Sequence, residues 1–125
     1  MVKDILYIED NPANALLMSK LMSRIPDYIL HEADCAEVGI EMLAGSLRPD
    51  IILMDIGLPG IDGFEAVKQI RARFDFAKEL PIIAVTAEAM PDHLAKGLQA
   101  DFFEYIVKPI DFTQLLAAIE MASMQ

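Results

Sequence analysis

Three carboxylates and one ammonium carry the reactive chemistry of this chain. Asp55 closes the apolar run Ile51-Ile52-Leu53-Met54, and Glu9 and Asp10 follow a second run, Ile5-Leu6-Tyr7-Ile8. In an open parallel α/β sheet ligands collect beyond the carboxyl ends of the strands, so an acid there meets solvent and substrate while its backbone is held rigid. With the two strands as neighbours, all three acids reach one edge. Burying such a set without a counter-charge is costly, so it calls for a cation or raised pKa values. Mg²⁺ suits it, because that ion takes oxygen ligands, keeps several waters and is commonly held by one or two carboxylates plus a substrate phosphate; Mn²⁺ is expected to substitute. The expected ligands are Asp10, Asp55 and a backbone carbonyl just after Asp55, with Glu9 acting through water. An aspartate beside such an ion can attack a phosphoryl donor and become an acyl phosphate, provided the charge on the phosphoryl oxygens is neutralised. Lys108 and Thr86 end two further apolar runs. Their ammonium and hydroxyl can each pair with a phosphoryl oxygen.

Apolar runs of strand length alternate with longer segments of helical period, the pattern of βαβ units around a parallel sheet. The spacing predicts five strands, near 3–8, 28–33, 50–54, 81–85 and 102–107, each followed by a helix. The third and fourth are apolar throughout, as central strands covered on both faces are. The first helix opens on Asp10-Asn11-Pro12, an acceptor side chain followed by proline in the first turn, and carries Leu16, Leu17, Met18, Leu21, Met22 and Ile25. The second carries Val38, Ile40, Met42, Leu43 and Leu47, and stops at Arg48-Pro49. The third follows Asp62-Gly63 with Phe64, Val67, Ile70 and Phe74 on one stripe. The segment after Met90-Pro91-Asp92 is weakly apolar, anchored by Leu94 and Leu98. The last helix runs from Asp111 through Leu115, Leu116 and Ile119.

The 125 residues are 54% hydrophobic and contain no linker-like stretch, which is the profile of one compact domain, 1–125, with its own core. Twenty acids against ten bases give a formal charge of −10, which disfavours direct contact with nucleic acid or an anionic membrane surface and favours a metal cation or a basic partner. No apolar run reaches the roughly 18 residues that span a bilayer. Cys35 has no cysteine to pair with, and the amino terminus lacks a signal-peptide apolar region, so a cytoplasmic location is expected.

Taken in chain order, Glu9-Asp10-Asn11, Met54-Asp55-Ile56-Gly57-Leu58-Pro59-Gly60-Ile61-Asp62-Gly63, Val85-Thr86-Ala87 and Lys108-Pro109-Ile110 resemble the signature blocks of receiver domains of two-component response regulators. The resemblance spans the whole chain. It implies a doubly wound, flavodoxin-like sheet of five parallel strands in the order 2-1-3-4-5, with five helices on its two faces. It also implies that Asp55 is the phosphoacceptor, that Asp10, Asp55 and the Gly57 carbonyl bind Mg²⁺ with Glu9 in support, and that Thr86 and Lys108 contact the phosphoryl group. Tyr105 sits where the family has a switch aromatic coupled to Thr86, the Lys108-Pro109 bond is expected to be cis, and Gly57 and Glu88 occupy positions that tune loss of the phosphoryl group. Implied partners are a histidine kinase or histidine phosphotransfer protein and a downstream protein target, with a phosphorylation-dependent dimer as a further option. The segments Asn11-Pro12-Ala13-Asn14 and Thr86-Ala87-Glu88-Ala89-Met90 are similar to those of receivers carried by hybrid histidine kinases; stand-alone regulator and fused domain both stay open.

One departure from the family pattern is Asp101-Phe102-Phe103-Glu104-Tyr105. Strand alternation would bury only one of the two phenylalanines, which predicts the other on the surface formed by the fourth helix, the fifth strand and the fifth helix. Plainer readings apply to several residues: Glu9 and Asp10 as acids favoured at a helix amino terminus, Thr86 as a strand-end cap, Tyr105 as a core ring. His31 and His93 lack metal-ligand spacing, and Cys35 is a helix-entry residue. Two rival functions remain at this level. A phosphatase or mutase of the aspartyl-phosphate type needs a second aspartate two residues after the nucleophile, where this chain has Gly57. A phosphorylation-independent interaction module would keep the fold alone.

Overall fold

A computed structural model describes residues 2–57, 63–87 and 102–124 of the chain. Its five strands are β1 (Lys3–Ile8), β2 (Tyr28–Ala33), β3 (Ile51–Asp55), β4 (Ile82–Thr86) and β5 (Glu104–Val107), all parallel, in the order β2-β1-β3-β4-β5. Four α-helices lie among the described residues: α1 (Pro12–Met22), α2 (Ala36–Ala44), α3 (Gly63–Arg73) and α4 (Phe112–Ser123), with a 3₁₀ turn at Asp75–Ala77. The fold class and strand order are those expected. The helix predicted after Met90 lies outside the described residues.

Strand alternation divides the core in two. Leu6, Ile8, Ile52, Met54, Ile82 and Ala84 meet Ile40 and Leu43 of α2 and Val67 and Ile70 of α3. Ile5, Tyr7, Leu53, Ile83, Val85 and Ile106 meet Met18 and Met22 of α1 and Leu115 and Ile119 of α4 on the opposite face. Covering both faces explains why β3 and β4 are apolar up to their last residues, Asp55 and Thr86. Each large aliphatic side chain so buried contributes about 1.5–3 kcal/mol relative to exposure, which makes the sheet a stiff base for whatever projects from its carboxyl edge.

Helix starts are where the local chemistry puts them. Asn11 caps α1, its Oδ1 accepting from the N–H groups of Ala13 and Asn14 at 2.8 and 3.2 Å, with Pro12 in the first turn. Asp111 caps α4 through the Gln114 N–H at 3.0 Å. Cys35 stands at the entry to α2 without a side-chain cap bond. The close approach of α3 to β3 requires glycine at its first residue: a Cβ on Gly63 would lie 2.4 Å from Ile56 Cα and 2.9 Å from the Asp55 carbonyl oxygen.

Three details add to or depart from the expected fold. Leu16 and Leu17 of α1 are exposed, because Met18 and Met22 take the sheet-facing positions. The last strand starts at Glu104, two residues later than predicted. Phe102 and Phe103 therefore precede it and point to opposite faces, Phe102 buried edge-on to Phe64 and Phe103 half-buried against the α1/α4 cluster. Only one of the two is buried, as alternation predicts, and the surface expected beside the helix after Met90 lies outside the described residues.

Candidate functional site

The register brings the reactive residues to one edge. Ile8 lies opposite Met54, so the next residues, Glu9 and Asp55, are abreast as β1 and β3 end. Asp55 lies opposite Val85, one residue short of Thr86, and the Thr86 carbonyl accepts from the Lys108 N–H at 2.7 Å as β5 ends. Four strand ends thus converge, with Glu9, Asp55 and Thr86 all buried at 4%, 6% and 6% exposure and Asp10 exposed at the rim. The Lys108–Pro109 peptide is cis.

Within this cluster Lys108 is the bridge. Its Nζ donates to Glu9 Oε1 at 2.8 Å and to Asp55 Oδ2 at 3.4 Å. The other Asp55 oxygen, Oδ1, accepts from the Gly57 N–H at 2.9 Å. Glu9 has two further donors, the Tyr7 hydroxyl to Oε1 at 3.0 Å and the Asn11 N–H to Oε2 at 3.3 Å. So the lysine, expected beside Asp55, sits closer to Glu9.

The two buried carboxyls titrate as a pair. Burial favours protonation of both. For Glu9, hydrogen bonding with the Asp55 carboxyl and with Lys108 outweighs burial and brings it down to about 2. Asp55 moves up, through burial first and then the neighbouring Glu9, against the pull of the Gly57 N–H and Lys108. Glu9 has the shorter bond to the ammonium and two more donors, so the first proton taken up goes to Asp55. Lys108 is raised: burial opposes its charge, but the bond to Glu9 and the two carboxylate charges prevail. Tyr7 is pushed up strongly by burial and by Glu9, and its hydroxyl stays a donor.

One oxygen from each of Glu9, Asp10 and Asp55 lies within 4.8 Å of the others. Among the described residues, three hard carboxylate donors against the one ammonium of Lys108 leave an excess of negative charge that a divalent cation would balance, so the donor set fits Mg²⁺. Gly57, exposed two residues beyond Asp55, leaves the approach to Asp55 free of a side chain. Tyr105 is half-buried at the edge of the α2/α3-side core, opposite Ala84. His31 is a structural partner of Asp4, at 2.8 Å. Leu58 to Asp62, Glu88 and His93 lie outside the described residues.

Tyr7 was not singled out in the sequence. The available signal was its place in β1: two residues before Glu9, on the same side of the strand, and the one polar tip in an aliphatic run.

Comparison with known proteins gives one consistent result. A family model described as "Response regulator receiver domain" matches residues 5–120. The chain is 34% identical over 118 residues to the sensor protein GacS of Pseudomonas syringae pv. syringae, covering 92% of this chain and 13% of that protein. It is 33% identical over 117 residues to the transcriptional regulatory protein HprR of Escherichia coli K12, covering 92% of this chain and 49% of that one. Thus the chain spans half or less of the length of these curated relatives. Among solved structures, the receiver domain of the sensor histidine kinase PA1611 of Pseudomonas aeruginosa PAO1, with a magnesium ion coordinated in its active site cleft, matches over 100% of both chains at a TM-score of 0.86 and 30% identity.

Proposed function

The chain belongs to the response regulator receiver domain family of two-component signalling, and on that premise we propose that it is a phosphoacceptor switch whose acceptor is Asp55. The observation that carries this reading is the meeting of Asp55, Glu9 and Asp10 with Lys108 at adjacent strand ends. Asp10, Asp55 and the Gly57 carbonyl would hold Mg²⁺ or Mn²⁺, with Glu9 acting through water. Bound there, the ion supplies positive charge against the phosphoryl oxygens.

The donor is a phosphohistidine on a histidine kinase or a histidine phosphotransfer protein. An Asp55 carboxylate oxygen bonds to phosphorus as the P–N bond breaks, and the released ring nitrogen keeps the bonding pair and takes up a proton. Lys108, on a flexible stem, moves from Glu9 toward a phosphoryl oxygen, and the Thr86 hydroxyl donates to another. Because Thr86 and Tyr105 lie on neighbouring strands, drawing Thr86 inward lets Tyr105 repack. The altered face around β5 and α4 is then read by a downstream protein or by a second copy. Water later displaces Asp55 from phosphorus, which resets the switch. The domain acts in the cytoplasm as a single receiver unit.

Incubating the protein with a small acyl phosphate donor tests this. Uptake of one phosphoryl group with Mg²⁺, and none with EDTA, is expected. Sustained release of phosphate from phosphoesters would instead make it a phosphatase.

A further inference from the structure

Glu9 occupies an unusual position for a buried acid, because one of its oxygens accepts from two donors of different stiffness. Lys108 reaches Oε1 on a four-carbon stem. Tyr7 reaches the same atom from a ring that is 0% exposed and packed among β1, α1 and α4 residues. The ring cannot follow Glu9, so the hydroxyl is a fixed point. On the other oxygen the Asn11 N–H is a longer contact, at 3.3 Å.

We propose that Tyr7 is a positioning residue for the cation site: its hydroxyl fixes the Glu9 carboxylate toward Asp10 and Asp55 and keeps it held when Lys108 leaves for a phosphoryl oxygen. A buried carboxylate stripped of its ammonium and left with one long backbone contact is costly. It would hold the lysine back or swing away from the other two acids. With the tyrosine in place, one strong donor remains. This is the role that outer hydrogen-bond partners play for groups around a metal, where their loss typically weakens affinity about 10- to 100-fold.

The proposal rests on the phosphoacceptor reading for the use of the cation, but its test does not need activity. Mn²⁺ binding is measured from the paramagnetic resonance signal of the free ion, for the wild type, Tyr7→Phe, Glu9→Gln and the double variant. Tyr28→Phe serves as control, since that hydroxyl pairs with Ser123 at the far end of the sheet. Tyr7→Phe should weaken Mn²⁺ binding about tenfold, Tyr28→Phe should leave it unchanged, and Tyr7→Phe should cost less than about twofold once Glu9 is already Gln. Urea unfolding in EDTA is run alongside. Affinity within about twofold of wild type in Tyr7→Phe, an equal loss in the Glu9→Gln background, or a Tyr7→Phe protein that unfolds without metal each overturns the proposal. A wild type that binds no Mn²⁺ overturns the phosphoacceptor reading with it.

Discussion

Replacing Lys108 with methionine keeps most of the stem and deletes the ammonium that lies 2.8 Å from Glu9 and 3.4 Å from Asp55, carboxylates only 1% and 9% exposed. Removing one partner of a buried ion pair generally costs about 3–5 kcal/mol, because the other charge stays behind. Here the cost has a ceiling, since an abandoned carboxyl can neutralise itself by taking a proton. From the ordinary value of 4.5 for Glu9 to pH 7 is about 2.5 pH units, and at about 1.4 kcal/mol per unit the ceiling on this part of the cost is about 3 kcal/mol. At pH 5 the same ceiling falls below about 1 kcal/mol. The sign agrees from both sides. In the wild type the depressed Glu9 contributes stability that is complete above 4.5 and lost as pH falls through about 2. In the variant the folded-state carboxyl values rise, so stability is retained in acid and lost as pH rises. Urea unfolding of metal-free protein should therefore show a deficit of about 3 kcal/mol or more at pH 7 that is clearly smaller at pH 5, with unchanged m values. A deficit independent of pH, or one that grows toward acid, would refute the claim that Lys108 serves as counter-ion to the buried pair.

Asp55→Asn removes the carboxyl whose proton affinity burial and Glu9 raise, so the metal-free variant should unfold at higher urea than wild type at pH 7; a less stable variant would contradict the repulsion. Saturating Mg²⁺, at about 100 times its dissociation constant, should stabilise the wild type by about 2.7 kcal/mol in thermal or urea unfolding. That gain should vanish in Asp10→Asn. Gly63→Ala forces a Cβ to within 2.4 Å of Ile56 Cα. The backbone behind Asp55 must shift, so a loss of about 1–3 kcal/mol is expected together with slower phosphoryl uptake. Gly39→Ala meets side chain rather than backbone, Ile8 Cδ1 at 2.6 Å and Cγ1 at 3.1 Å, and it should leave uptake unchanged.

The frame was readable because β3 and β4 are buried on both faces and so are apolar at every position before their last residue, and because Asn11-Pro12 and Asp111 announce helix starts through side-chain acceptors. Asp55, Glu9 and Lys108 stood out for a related reason: a charge directly after such a run can only sit at the strand end. What the chain order did not reveal is how the charges share partners. Lys108 could have served Asp55 first; the three-dimensional register gives Glu9 the shorter bond. Tyr7 looked like one more core ring, since hydrogen bonding by its tip depends on where Glu9 turns. Helical spacing in α1 also offers more apolar residues than one sheet face can bury, so Leu16 and Leu17 stay exposed while Met18 and Met22 fill the core. Phe102 and Phe103 divide between the two faces as alternation requires, although the strand begins two residues later than expected.

Intact-mass measurement of the wild type and Asp55→Asn, each incubated with Mg²⁺ and a small acyl phosphate donor, tests the assignment of Asp55 most directly. The expected result is a gain of one phosphoryl group by the wild type and none by Asp55→Asn. No gain in the wild type, or a gain that survives in Asp55→Asn, would contradict it.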